Sequence, residues 1–379
     1  MPYCKSQVQV DTINACVTNG SIVKAAKYLK KDRRGIARMV RRVERQAAAK
    51  GFAPDQGVNH PTPAGFTVRG TSTLYDAESG EAKLQWIKTG KDAENQEALH
   101  DALLDAFASV KPLPVIKAPR RVDKDLLTVY PMGDPHLGMY AWSEEAGEDF
   151  DTDIAAKNLY TAVDRLVEIA PAADTGILLN LGDFFHADNL DNTTKRGTIV
   201  DIDTRWPRVL DIGIQTMIRL IRRMLAKHKA VIVRNCIGNH DTHTSIMLSI
   251  ALRCFFDQNK RVHIDTSPDP FWYYRHGKVL IGSTHGDRTK PASLPQIMAA
   301  DRSEDWGQTL FRYWYTGHIH HQSGYEFPGC TVETFRTLAA KDAWHHGQGY
   351  RSGRDMRCIV LHNEYGSIET HRVGLEQLE

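Results

Sequence analysis

The sequence predicts a layered α/β domain behind a small N-terminal three-helix module, and three observations carry this. From about residue 126 onward, short apolar runs alternate with helical stretches. Five of those runs stop at a short polar motif rich in Gly, Asp, Asn and His. The charge is also uneven. Residues 1–50 hold twelve Lys/Arg against three Asp/Glu (net +9), while the remainder holds 36 against 43 (net −7).

In residues 8–49 the pattern predicts three helices. The first runs from about Val8 to Val17 and stops at Asn19-Gly20, a turn signal. Ser21 caps a second, Ile22 to Leu29, and Asp32 a third, Arg33 to about Ala48. In the third, Ile36, Met39, Val40 and Val43 follow i, i+3, i+4, i+7 and face a small core. Arg34, Arg38, Arg41 and Arg45 form a basic stripe on the other side. Three short helices with an Arg-faced third look like a helix-turn-helix, whose last helix lies along the major groove of DNA. The competing reading is a small helical module that docks onto a protein.

Residues 53–125 read as a β-rich connector with one helix and a Pro-rich linker. Phe66-Thr67-Val68-Arg69-Gly70 and Ala82-Lys83-Leu84-Gln85-Trp86-Ile87 alternate as strands around a turn at Ser79-Gly80. A helix is expected from Ala93 to Ser109, then the linker Lys111-Pro112-Leu113-Pro114. The three expected segments are thus 1–52, 53–125 and 126–379.

In the main domain, Leu126–Tyr130 precedes Gly133-Asp134-Pro135-His136, and Ile177–Leu181 precedes Gly182-Asp183-Phe184-Phe185-His186. Val231–Asn235 precedes Gly238-Asn239-His240-Asp241. Val279–Gly282 precedes Thr284-His285-Gly286-Asp287, and Tyr313–Tyr315 precedes Gly317-His318-Ile319-His320. Helices are expected at 153–170 and 206–227. Each motif alone is as well explained by a turn, a surface pair or a core histidine. Five in order at strand ends supply carboxylates, an amide oxygen and imidazoles, the ligand set for two divalent cations that activate water against a phosphate. Mixed N/O ligation without thiolate suits Mn, Fe or Zn better than Mg or Ca, and Mn²⁺ is the expected ion.

These motifs resemble the calcineurin-like metallophosphoesterase superfamily over about Leu126 to the C-terminus. The resemblance implies two stacked β-sheets flanked by helices, with a two-metal site at the strand ends. It implies one metal on Asp134, His136, the bridging Asp183 and His320, and another on Asp183, Asn239, His285 and His318. It further implies His240 as acid or transition-state donor oriented by Asp241, His186 on the phosphate, and in-line attack by a metal-bridging hydroxide.

The second motif, Gly-Asp-Phe-Phe-His with Ala187-Asp188-Asn189 after it, looks more like the SbcD-type DNA repair exonucleases than the protein phosphatases. Joined to a helix-turn-helix-like N-terminus, it resembles phage and prophage proteins. A nuclease or phosphodiesterase acting on DNA is the expected function, with nucleic acid as the partner. Small or cyclic nucleotide phosphodiesterase, protein phosphatase, and a regulatory DNA-binding protein with a secondary enzymatic body stay open. The stretch Arg336-Thr337-Leu338, Lys341-Asp342-Ala343-Trp344-His345-His346 either lines a substrate groove or is a surface loop anchored by Trp344.

A hydrophobic fraction of 41% with 25% charged residues fits a globular chain. No apolar run approaches a membrane span, the N-terminus lacks a secretory core, and six cysteines are scattered without a Cys-x-x-Cys pair. A cytoplasmic protein with reduced thiols and no membrane partner is expected, and homo-oligomerisation stays open.

Overall fold

The computed structural model describes residues 4, 6–49, 52, 67–75, 82–90 and 116–378. The expected helix at 93–109, the linker at 111–114 and the turn at Ser79-Gly80 lie outside the described residues. The chain divides into two compact units, 1–100 and 101–379.

In the first unit, helices α1 (Gln7–Asn19), α2 (Ile22–Tyr28) and α3 (Arg33–Ala49) pack together. Ser6 caps α1, and Gly20 closes it in the left-handed conformation (φ 69°). This carries α1 two residues past the expected end. Ser21 and Asp32 accept from the backbone of Lys24 and Gly35 at 3.2 and 2.9 Å, as N-caps do. Ile36 and Val43 are buried with Ala15, Ala25 and Ala26, while Met39 and Val40 are half-buried. Arg34, Arg38, Arg41 and Arg45 are all exposed. Strands β1 (Thr67–Tyr75) and β2 (Ala82–Gly90) form an antiparallel pair.

The second unit is a two-sheet sandwich flanked by helices. Its first sheet contains β3 (Asp123–Met132), β4 (Ala173–Asn180), β5 (Ala230–Asn235) and β6 (Val262–Asp265), all parallel. Strands β12 (Asp355–His362) and β13 (Gly366–Gly374) extend it antiparallel, giving the order β13-β12-β3-β4-β5-β6. The second sheet is β10-β11-β9-β8-β7. Its members are β7 (Trp272–His276), β8 (Val279–Ser283), β9 (Phe311–Thr316), β10 (Ser323–Phe327) and β11 (Cys330–Thr334). There β8, β9 and β11 run parallel and the two edges antiparallel.

Period-2 alternation builds the layer between the sheets. Leu127, Val129, Ile177, Leu179, Ile359 and Leu361 point from the first sheet onto Trp272, Val279, Ile281 and Tyr315 of the second. Truncating one of these, for example Leu179→Ala, removes packing worth about 2–5 kcal/mol.

Helix α5 (Thr152–Ile169) packs on β12, β13 and α6 (Trp206–Leu225), and α6 packs on β5, while Leu280, Trp314 and Val332 pack against α8 (Leu294–Asp301). The helix between β5 and β6 is α7 (Thr244–Phe256); shorter ones are α4 (Ser143–Ala146), α9 (Ser303–Gln308) and α10 (Ala343–Gly347). The expected strands and the helices at 153–170 and 206–227 are present, with ends shifted by a few residues. Among the described residues, no helix is long and apolar enough to cross a membrane.

Because β3, β4 and β5 are parallel, as are β8 and β9, their C-terminal ends leave each sheet on one side. All five polar motifs begin there, the usual place for a ligand crevice in parallel sheets.

Candidate metal centre

The loop after β3 is zipped to the loop after β4. The His136 and Leu137 amides donate to the Asp183 and Phe184 carbonyls at 3.0 and 2.8 Å, and the His186 amide donates to the Leu137 carbonyl at 3.0 Å. The loop after β5 is pulled against Asp183 closely enough that a Cβ on Gly238 would lie 2.0 Å from the Asp183 Oδ1. Only glycine fits there. That approach lets the His240 amide donate to the same oxygen at 2.8 Å. From the other sheet, the His318 amide donates to both carboxylate oxygens of Asp134 at 2.9 Å.

The backbone itself is strained at these positions. Among the described residues, seven other than glycine occupy the left-handed region, and five are Asp134, His136, Asp183, His318 and His320 (φ 44°, 47°, 50°, 72° and 55°). Such conformations are unfavourable for residues bearing a Cβ and cluster where function over-determines them.

The side chains converge. Asp134, His136 and His320 bring one ligand-type atom each within 4.8 Å of one another, and so do Asp183, His285 and His318. Asn239 joins the second set, its Oδ1 2.9 Å from His285 Nε2. His136, His186 and His240 form a third cluster. The seven residues singled out as ligands therefore meet in two adjoining groups.

The contacts within them are unusual for a closed protein core. His136 Nε2 lies 3.0 Å from His320 Nε2, and His136 Nδ1 lies 3.1 Å from His186 Nδ1. His285 Nδ1 faces the Leu181 carbonyl at 2.9 Å. A carbonyl only accepts, so Nδ1 carries a proton, and in the neutral ring Nε2 keeps a lone pair. That lone pair points at Asn239 Oδ1 and at Asp183 Oδ2, 3.3 Å away. In that neutral form three acceptors converge on one point, an arrangement that a cation satisfies.

The electrostatics agree. Burial, then the neighbouring His240 and His320, push His136 well below its ordinary value. Burial and His345 bring His320 to about 3, and burial and His240 do the same for His186. These imidazoles are held neutral, the form that ligates metals. Burial opposes charge on His285 too, but the Asp183 carboxylate and Asp134 raise it to about 10. Burial likewise opposes ionisation of Asp183, yet His285 and His240 hold it well below the usual carboxylate range. Burial lifts Asp134 to about 7 against the pull of His285.

Around this centre some expected contacts differ. Asp241 does not orient His240. It is fully buried, and its carboxylate accepts from the Gly238 and Phe185 amides, each at 3.2 Å, clamping two motif loops together. His240 is oriented instead by the His186 carbonyl, 2.9 Å from its Nδ1, and its ring stacks on His186 at 5.2 Å. His186 itself is 2% exposed, wedged behind His136 and His240. Phe184 and Phe185 are fully buried. A Cβ on Gly213 of α6 would meet the Phe185 ring at 2.4 Å, so that aromatic pair anchors the loop in the core.

Three contacts made by residues of the quoted stretches are not foreseeable from the sequence. Asp188 accepts from the His243 and Thr244 amides (both 2.9 Å) and the Thr244 hydroxyl (2.8 Å), capping α7 from the loop after β4. Thr337 Oγ1 donates to the Asp134 carbonyl at 2.6 Å. His345 lies with Nδ1 2.7 Å from Asp342 Oδ1 and its ring stacked on His320 at 5.0 Å. An Asp three residues before a His was the only signal for the last. A cleft of about 520 Å³ opens over the centre, lined by Asp183, Asn239, His240, His318 and His320 and, at its mouth, by Trp344 and Tyr350. Trp344 is exposed and lines the cleft, so its stretch forms part of the groove wall.

No family model matches the chain, and neither does any curated protein. Solved structures do. The chain is similar to an archaeal phosphodiesterase (15% identity over 65% of this chain and 99% of that one, TM-score 0.33). It is also similar to vacuolar protein sorting 29 from Cryptosporidium parvum (11% identity, 66% and 100%, TM-score 0.32). A third is a phosphopantetheinyl hydrolase from Mycobacterium tuberculosis (12% identity, 57% and 91%, TM-score 0.27).

Proposed function

We propose that this protein is a dinuclear-metal phosphodiesterase that cleaves nucleic acid, most simply DNA. The carrying observation is that five of its seven candidate ligands sit in left-handed backbone while their donor atoms converge in two adjoining groups. Asp134, His136 and His320 would hold one cation and Asn239, His285 and His318 the other, with Asp183 between. Two divalent ions there would lower the pKa of water and neutralise phosphate oxygens, and the mixed N/O donor set suits Mn, Fe or Zn.

The chain's own residues do the rest. The His186 carbonyl accepts a hydrogen bond from the Nδ1–H of His240, leaving Nε2 as the atom that would exchange a proton with the ester. The Asp241 clamp and the Asp188 cap hold the loops that carry His240 and Asn239. DNA is favoured by the exposed Arg34, Arg38, Arg41 and Arg45 of α3, since each phosphate contact adds salt-dependent affinity.

The test is a substrate panel in Mn²⁺ covering monoester and diester reporters, cyclic nucleotides, and single- and double-stranded DNA and RNA. DNA turnover is expected, and His240→Ala should cut it while metal content is kept. Rapid turnover of a phosphopeptide with no cleavage of DNA overturns the reading. For the N-terminal unit, replacing the four arginines with alanine should weaken DNA binding and flatten its dependence on salt. Unchanged binding would favour a protein-docking module.

A further inference from the structure

The cleft over the metal centre has an aromatic wall that hydrolysis does not require. Trp344 is 61% exposed and Tyr350 39% exposed, yet both line the same cavity as Asp183, Asn239 and His318. An indole left in water on a five-residue helix stabilises nothing in the core, so its exposed face is available to a partner.

The wall is also built in place. The Trp344 and Tyr350 rings lie 6.0 Å apart at 36°, and His345 meets them edge-on at 4.9 and 5.2 Å. His345 is fixed in turn by Asp342 and by its stack on His320. Helix α10, which carries Trp344, packs on α4. Residues 198–201 supply another part of the lining, where Ile199 leaves 80% of its surface exposed.

We propose that Trp344 and Tyr350 form a nucleobase subsite, stacking the base of the nucleotide whose phosphate lies at the metal centre. This rests on the phosphodiesterase reading above. The cavity's volume is in the range of small-ligand sites. Its lining mixes flat apolar faces with Asp201 and His321, which match the polar edge of a base and would be left unpaired by an acyl chain. Stacking on an aromatic side chain tolerates any base, so the subsite grips nucleotides without selecting sequence.

Calorimetry in Mn²⁺ with adenosine 5′-monophosphate and ribose 5-phosphate tests this without turnover. The protein should prefer the base-bearing ligand by roughly tenfold, W344A should bring the ratio close to one, and W344F should keep most of it. No preference in the unaltered protein, or an unchanged ratio in W344A, overturns the subsite. The two readings fail separately. A preference for the base with no diester turnover removes the hydrolase and supports the subsite, whereas diester turnover with no preference does the reverse.

Discussion

Two buried clusters of this molecule use histidine in opposite ways. His228, behind the first sheet, is fully buried with each ring nitrogen matched to a complementary partner. Nδ1 faces the Ala173 carbonyl at 3.3 Å and Nε2 the Tyr130 hydroxyl at 2.8 Å. At the candidate metal centre, nitrogen faces nitrogen and one imidazole nitrogen faces two oxygens. Both sets are shielded from water, so burial does not separate them. Satisfaction does. A histidine whose partners complete its hydrogen bonds belongs to the fold, and one whose partners compete for the same missing charge belongs to a ligand.

The largest effect that would break this contrast is at Asp183. Asp183→Asn should lower diester turnover by at least roughly a thousandfold, and metal analysis should find fewer than the two ions per chain expected of the unaltered protein. Full activity with two ions retained would remove Asp183 from the centre. The same contrast predicts that Mn²⁺ at about a hundred times its Kd stabilises the fold by roughly 2.7 kcal/mol, read as a rise in Tm that a chelator reverses. A Tm indifferent to Mn²⁺ would mean that the competing lone pairs are not a binding site.

His228 should respond to acid instead. Burial lowers it to about 4, against roughly 6.5 in the unfolded chain. The unfolded state therefore binds the proton first as pH falls. Its contribution is complete above about pH 6.5 and is lost progressively down to about pH 4, some 3 kcal/mol in all. Chemical denaturation across that window should show the slope, and His228→Gln should flatten it. The smallest effect is at Asp188. Asp188→Ala leaves two α7 amides without their cap and should cost about 1 kcal/mol in a melt. Turnover should fall further than metal content, because the loop carrying His240 loosens. An unchanged melt would mean the cap is not holding α7.

How much of this was legible depends on whether a residue's job is local. The candidate ligands could be placed at the sheet ends because each of their five motifs follows an apolar strand, four of them opening with a Gly, whatever the rest of the chain does. Arg34, Arg38, Arg41 and Arg45 were readable as one exposed stripe because helical spacing alone sets it. Asp241 was misread because a neighbour in sequence looked like a partner, while its carboxylate reaches Phe185, 56 residues away. Phe184 and Phe185 looked like a marker of substrate class, yet both are buried, Phe185 against Gly213 of α6, by tertiary packing that no motif encodes. The stack of His345 on His320 required the C-terminal segment to fold back over the centre, which nothing in its composition announces.

The left-handed backbone of the ligands has a further meaning for how this chain tolerates change. At position 318, glycine would adopt φ 72° freely, whereas histidine holds it against a penalty on the order of 1 kcal/mol or more. The most stable version of this protein and the working one are therefore different molecules. A selection for thermal robustness alone would drift toward glycine at these corners and lose the centre.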